Sequence, residues 1–130
     1  MPRRIRISAG TVVLDAELND SPTAVAIHAA LPLEAAAQTW GEEIYFRIPV
    51  EGKLDDTAVD LVAVGDLGYW PTGRAFCIFF GPTPASRGEE IRPASAVNLV
   101  GHHEIMFPLL IAAVLEALAE GGSPCQDASA

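Results

Sequence analysis

The chain has 130 residues, of which half are hydrophobic and 19% are charged. This composition excludes a disordered or low-complexity segment and indicates one folded domain. A net charge of −9 with only eight Lys and Arg residues argues against nucleic acid as a partner, because nucleic-acid binders carry clustered cationic side chains.

Neither a membrane span nor an export signal is expected. The longest apolar run, residues 105–115, falls short of the roughly 20 residues that cross a bilayer. No continuous apolar segment follows Arg3, Arg4 and Arg6, so a signal peptide is not predicted. Cys77 lies in an apolar run and Cys125 near the C-terminus. Two such cysteines do not form a disulfide framework, and we therefore expect a cytoplasmic protein.

The first quarter of the chain predicts two strands and a helix. Apolar and polar residues alternate over residues 4–7 and 12–18, which is the period of a half-buried strand pair. Ser21 is a good N-cap and Pro22 suits the first helical position. A helix is predicted to run from there to Leu31, where Pro32 ends it.

The middle of the chain predicts a series of short strands. Residues 34–38 are ambiguous, because three consecutive alanines favour a helix while a strong strand follows. Alternation or apolar runs predict strands over residues 44–50, 59–64, 76–80 and 96–100. Many short strands with one helix predict a closed barrel, since closure removes exposed sheet edges.

The last segment changes to a helical period. Residues 106–119 are apolar on all sides and carry a stripe at helical spacing, followed by Gly121 and Gly122 as a C-terminal cap. We predict a barrel domain over residues 1–103, a helical extension over 104–120 and a flexible tail over 121–130. The helix is expected to pack on the barrel wall or to form a homodimer.

Two clusters of side chains are candidate ligand contacts. Residues 65–74 contain three glycines and a proline, which predict a tight loop presenting Tyr69 and Trp70. Whether these rings contact a ligand or cap the core is an even choice. The second cluster is Glu43, Tyr45 and Arg47, which share a strand face at a spacing of about 7 Å. An ordinary solvated face is the favoured interpretation there.

Metal and cofactor motifs are missing from the sequence. His28 stands alone, and His102 and His103 are adjacent, so on a strand they point to opposite faces. There is no HExxH motif, cysteine pair, phosphate loop or GxSxG motif. We therefore predict neither a metal nor a cofactor.

Three segments carry a resemblance to a known family. Residues 40–46 (WGEEIYF), 65–86 (GDLGYWPTGRAFCIFFGPTPAS) and 93–101 (PASAVNLVG) resemble a prokaryotic cyclophilin-like family of unassigned function. The resemblance extends from about Ile5 to Gly101. It implies a closed, eight-stranded cyclophilin-type barrel with a strand at residues 34–38, and it makes the C-terminal helix an extension.

The resemblance also implies where a ligand would bind. Cyclophilins are prolyl isomerases that hold a peptide on the outer face of the barrel, with an arginine in an aromatic-x-Arg-apolar context. Tyr45, Arg47 and Ile48 match that context, which would make Arg47 the catalytic residue. The glutamine motif and tryptophan loop of cyclophilins are not recognisable here.

We therefore predict a binding protein for a small molecule or peptide, with a specialised prolyl isomerase as the alternative. The predicted outer-face groove is lined by Glu43, Tyr45, Arg47, Tyr69, Trp70, Arg74 and Phe79.

Overall fold

The computed structural model describes residues 3–9, 12–103 and 123–127. The described chain is mainly β-structure with one α-helix and one short 3-10 helix at Pro71–Gly73. The helix, α1, spans Pro22–Ala30. The strands in chain order are β1 (Arg3–Ala9), β2 (Val12–Leu18), β3 (Leu33–Ala35), β4 (Gln38–Trp40), β5 (Glu43–Arg47), β6 (Ala58–Val59), β7 (Asp66–Trp70), β8 (Ala75–Phe79), β9 (Val97–His103) and β10 (Ser123–Asp127).

The strands form a single sheet in the order β3-β10-β1-β2-β9-β7-β8-β5-β4, with β6 paired to β9. The prediction of a closed eight-stranded barrel is wrong, because β3 and β4 are the two ends of this path and the sheet is an open, strongly curled half-barrel. Each edge strand has only three residues, and short edges leave few unpaired backbone groups, so closure is not required.

Two predictions concern the C-terminal segment. The helix over residues 104–120, and the homodimer through it, lie outside the described residues. Within the predicted tail, Ser123–Asp127 forms β10, which pairs with both β1 and β3. None of the helices in the described parts of the chain is long and apolar enough to span a bilayer.

Local signals placed α1 correctly. The Ser21 side chain accepts a hydrogen bond from the Ala24 amide at 3.3 Å, and Pro22 opens the first turn. The strand interpretation of residues 34–38 is also confirmed in outline, because β3 and β4 occupy Leu33–Ala35 and Gln38–Trp40. The alanine run is too short to form a helix between these two pairings.

The inner face of the curled sheet holds the main core. Its buried residues come from β1, β2, β5, β7, β8, β9 and α1, and they include the stacked rings of Phe46 and Phe76, whose centroids are 5.3 Å apart. Two polar side chains are fully buried there, Tyr69 and Asn98. Asn98 accepts a hydrogen bond from the Asp55 amide and donates to the Lys53 carbonyl and the Thr23 hydroxyl. Asn98 therefore ties the 51–57 loop to α1.

The outer face of the sheet carries a second, smaller cluster. Ala75, Cys77 and Phe79 of β8 are buried there with Val97 and Ile91. Both faces of β8 are thus buried, as expected for a continuous apolar run in a central strand. Ile91 belongs to the segment between β8 and β9, and it bridges to Val62. This irregular segment covers part of the outer face.

The predicted tight loop over residues 65–74 is wrong. Half of that stretch is β7, followed by the 3-10 turn Pro71–Gly73. Gly68 lies within this strand. A Cβ atom at this position would lie only 3.1 Å from the Phe79 ring and from Val97, which favours glycine there. Its missing side chain gives these two neighbours room to pack.

Candidate functional site

A cavity of about 240 Å³ opens on the outer face of the sheet. Three aromatic rings from different strands line it, together with one carboxyl group, one thiol and apolar residues that precede or begin β9. These residues are Trp40, Tyr45, Trp70, Glu43, Cys77, Pro93, Ala94 and Val97. An apolar cavity with one polar group is the usual composition of a small-ligand site.

Strand register brings these residues together. Tyr45 lies opposite Cys77 in the β5–β8 pair, and Glu43 lies two residues before Tyr45 on the same strand face. Trp40 lies opposite Glu43 across the tight β4–β5 hairpin. Gly41 has a φ of 62°, the conformation that a two-residue hairpin turn assigns to glycine.

Hydrogen bonds hold two of the three rings in place. The Tyr45 hydroxyl donates to Gln38 Oε1 at 2.7 Å, and Trp70 Nε1 donates to the Ser95 hydroxyl at 2.6 Å. The donor groups of both rings are therefore occupied within the protein. A ligand in the cavity would meet surfaces that are already ordered, which reduces the entropy lost on binding.

Glu43 is the unusual group of the cavity. Its residue is 6% exposed, and no Lys, Arg or His of the described chain forms an ion pair with it. Burial raises the pKa of the Glu43 carboxyl to about 7, although a hydrogen bond with the Cys77 thiol acts in the opposite direction. Glu43 can therefore be a neutral donor or an anion near neutral pH.

Cys77 is a poor candidate for a nucleophile. Burial and the neighbouring Glu43 raise the pKa of the Cys77 thiol well above its usual range, so the reactive thiolate is not formed near neutral pH. Its single S–H can donate to the Glu43 carboxylate or to the Ala75 carbonyl, which lies 3.8 Å from Sγ. We assign Cys77 to the wall of the cavity.

The structure brings together three of the seven predicted groove residues, Glu43, Tyr45 and Trp70. Tyr69 lies on the opposite face of β7 and is buried in the inner core, where its hydroxyl donates to the Val50 carbonyl at 2.5 Å and accepts from the Gly52 amide. Phe79 is fully buried in the outer cluster and does not line the cavity.

The two predicted arginines lie outside the cavity. Arg47 is exposed at the end of β5, in one cross-strand row with Ala75 and Trp70, and two strand spacings separate its Cα from that of Trp70 by about 10 Å. Arg74 forms an ion pair with Glu51 and lines a different cavity, of about 380 Å³.

Sequence reasoning missed Trp40, Cys77, Pro93, Ala94 and Val97. A signal existed for Trp40, because Trp-Gly-Glu-Glu can form a two-residue hairpin that pairs Trp40 with Glu43. Cys77 lies in an apolar run, and the sequence does not reveal Tyr45 as its strand partner because that pairing depends on the register. Nothing in the composition of residues 93–97 predicts that they reach the outer sheet face.

No metal centre is found among the residues that the structure describes, since none of them form a group of three or more His, Cys, Asp or Glu that could hold an ion. The chemistry available at the cavity is therefore that of one carboxyl group beside aromatic rings.

One comparison with known proteins identifies a family, and another finds a similar solved structure. The family model described as cyclophilin-like matches residues 3–108. No curated protein matches the chain. The solution structure of a hypothetical protein from Archaeoglobus fulgidus is similar, with a TM-score of 0.78 and 37% sequence identity over 98% of this chain and 95% of that one. The resemblance noted in the sequence is thus confirmed, and the chain belongs to the cyclophilin-like family.

Proposed function

We propose that this protein binds a small molecule or a peptide side chain in the cavity around Glu43, which we name the Glu43 pocket and define by its eight lining residues. The observation that carries this proposal is a nearly buried carboxyl group without an ionic partner in the described chain, at the wall of an aromatic cavity. A buried acid weakens folding unless it is compensated, and perturbed acids in clefts are frequent at functional sites.

The size of the Glu43 pocket limits the ligand. Sites for drug-sized molecules usually enclose roughly 300–1,000 Å³, and this cavity has about 240 Å³. A compact group therefore fits, such as one side chain of a peptide or a small metabolite. Larger ligands would leave most of their surface outside the pocket.

Tryptophan fluorescence can report binding at the Glu43 pocket. Its two tryptophans, Trp40 and Trp70, both line the Glu43 pocket. A fragment library screened by intrinsic fluorescence and by amide chemical shifts should therefore give ligands that change tryptophan emission and shift residues around the pocket. Shifts that concentrate elsewhere on the molecule would contradict the proposal.

A blocking variant provides the matched test. Ala94 is exposed at the pocket wall, so Ala94→Phe should fill the opening and remove binding while the melting temperature changes little. Ala29 is an exposed alanine of α1, and Ala29→Phe should leave binding unchanged. Equal binding by both variants would show that the ligand occupies another place.

A prolyl isomerase is the second candidate function. The observation that favours it is the exposed Arg47 on the same outer face as the Glu43 pocket, in register with Trp70. A guanidinium there could donate hydrogen bonds near a prolyl nitrogen and weaken the amide conjugation. Acceleration in a proline-peptide assay that Arg47→Ala removes would support it. The exposed Arg4→Ala is the control, and unchanged activity in Arg47→Ala would exclude this role.

The cytoplasmic location and the homodimer through residues 104–120 are further proposals. The buried free thiol of Cys77 supports a reducing compartment. Light scattering on the full chain tests the dimer.

A further inference from the structure

We infer that the Glu43 pocket selects a methylated ammonium group, an inference that rests on the pocket being the binding site proposed above. The structure places three aromatic side chains from three strands, Trp40 of β4, Tyr45 of β5 and Trp70 of β7, around one cavity with a carboxyl group in its wall. Aromatic rings around a carboxylate suit an organic cation.

The rings supply the first part of the argument. The face of an aromatic ring carries partial negative charge, and Trp and Tyr attract cations more strongly when water is excluded. Both tryptophans of the chain and one of its two tyrosines lie at this cavity. Since hydrogen bonds to Gln38 and Ser95 already engage Tyr45 and Trp70, these rings have a fixed orientation.

The charges around Glu43 supply the second part. The titratable groups that line the cavity with it are Cys77 of β8 and Tyr45 of β5. Neither neighbouring cation pairs with Glu43: Arg92, near Pro93, pairs with Glu90 at 3.3 Å, and Arg47, on the same strand face, is exposed at the end of β5. A bound cation would therefore be the counter-ion that the described protein does not provide, and a net charge of −9 favours its approach.

The small number of hydrogen-bond acceptors among the lining side chains favours a trimethylammonium group over a primary ammonium group. A primary ammonium has three N–H donors that need partners when water is excluded. The side chains lining this cavity offer one carboxyl group and the hydroxyl of Tyr45, while the others are apolar, aromatic or a thiol. A trimethylammonium group has no N–H donor and places only methyl groups against the rings, so it leaves nothing unsatisfied.

Binding should release a proton. When Glu43 is neutral, the ammonium enters only as the carboxyl group loses its proton to solvent, so the protein exchanges one bound proton for one bound cation. Because the pKa of Glu43 is raised to about 7, affinity should increase about ten-fold between pH 6 and pH 8 and then level off.

The experiment compares two probes of the same shape on the full chain. Choline carries a trimethylammonium group, and 3,3-dimethylbutan-1-ol replaces its nitrogen by carbon. At pH 8 choline should bind at least ten-fold more tightly by tryptophan fluorescence and calorimetry. The variant E43Q should remove this preference and the pH dependence while it still binds the neutral probe. The control E42Q changes the adjacent exposed acid and should behave as wild type.

Each other outcome overturns the inference. If the two probes bind equally, the pocket is a site for neutral apolar groups. If E43Q keeps the preference for choline, Glu43 is not the counter-ion of the bound cation. The proposed function survives both results. If neither probe binds at millimolar concentration, the ammonium inference fails by itself, because the fragment screen and Ala94→Phe still test the pocket separately.

Discussion

The two faces of the central strand β8 differ in how they treat polar groups. On the inner face Phe76 and Ile78 pack into the larger core, and the buried polar side chains Tyr69 and Asn98 are hydrogen-bonded. On the outer face Cys77 adjoins Glu43, a nearly buried acid beside an open cavity. The polar groups on the inner face are compensated and stabilise the fold. The buried acid on the outer face lowers stability, which a role in binding would explain.

The difference follows from what covers each face. The curl of the sheet brings strands and α1 together over the inner core, so that side chains from regular elements meet at fixed spacings. The outer face is covered in part by the irregular segment between β8 and β9, which reaches the sheet through Ile91. A single segment of this kind does not extend over the whole face, and the Glu43 pocket opens beside Pro93 and Ala94.

The largest effect is expected from the inner face. Phe46→Ala should destabilise the protein by about 3–5 kcal/mol, because it removes a buried ring that stacks on Phe76 and leaves a void. Trp70→Ala, on the half-buried wall of the Glu43 pocket, should cost less than half as much. Urea denaturation of both variants measures this, and equal losses would contradict the division between the two faces.

Replacing the buried acid should stabilise the protein at high pH. The pKa of Glu43 rises from an ordinary value of 4.5 to about 7 on folding, so the wild-type fold holds this proton more tightly than the unfolded chain. The contribution of this bound proton to the free energy of unfolding is fully present below about pH 4.5 and is lost as pH rises through 7. Glu43→Gln should therefore gain up to about 3 kcal/mol at pH 8 and almost nothing at pH 4.5.

Denaturation at the two pH values measures this effect, with Glu42→Gln as the matched control. Glu42 is the adjacent exposed acid in the hairpin turn, and its substitution should change stability little at either pH. A difference between Glu43→Gln and wild type that does not depend on pH would show that the carboxyl group titrates normally.

Local sequence patterns predicted the features that depend on interactions between residues close together in the chain. The cap at Ser21, a strand in the region of residues 44–50 (observed at Glu43–Arg47) and the shared face of Glu43 and Tyr45 follow from neighbours a few residues apart. The resemblance correctly replaced a helix by strands around residues 34–38. These features need no knowledge of which strand pairs with which.

The features that failed depend on long-range pairing. Closure of the barrel could not be judged from the sequence, because the ends of the sheet depend on β10 pairing with both β1 and β3. About 90 residues separate β10 from β3 along the chain. The loop prediction presents Tyr69 and Trp70 together, whereas strand alternation places them on opposite faces of the sheet. Recognising residues 66–70 as a strand would have separated them.

A smaller effect should come from the inner-face hydroxyl. Tyr69→Phe keeps the ring but leaves the Val50 carbonyl and the Gly52 amide without their partner, which should cost about 2 kcal/mol. Tyr45→Phe removes one exposed hydrogen bond, to Gln38, and should cost less than about 0.5 kcal/mol. If the two tyrosine variants are equally stable, the buried hydroxyl is not what anchors the 50–52 segment to β7.

The smallest change in stability, with a clear change in the pocket, is expected from Ser95→Ala. Ser95 is exposed, and its hydroxyl accepts the hydrogen bond from Trp70 Nε1. Its loss should cost less than about 1 kcal/mol, but Trp70 should become free to change rotamer, and any ligand of the Glu43 pocket should bind several-fold more weakly. Fluorescence anisotropy of the Trp40→Phe background, in which Trp70 is the remaining tryptophan, measures this freedom. Unchanged anisotropy and affinity would mean that packing against the outer cluster, and not Ser95, holds the indole.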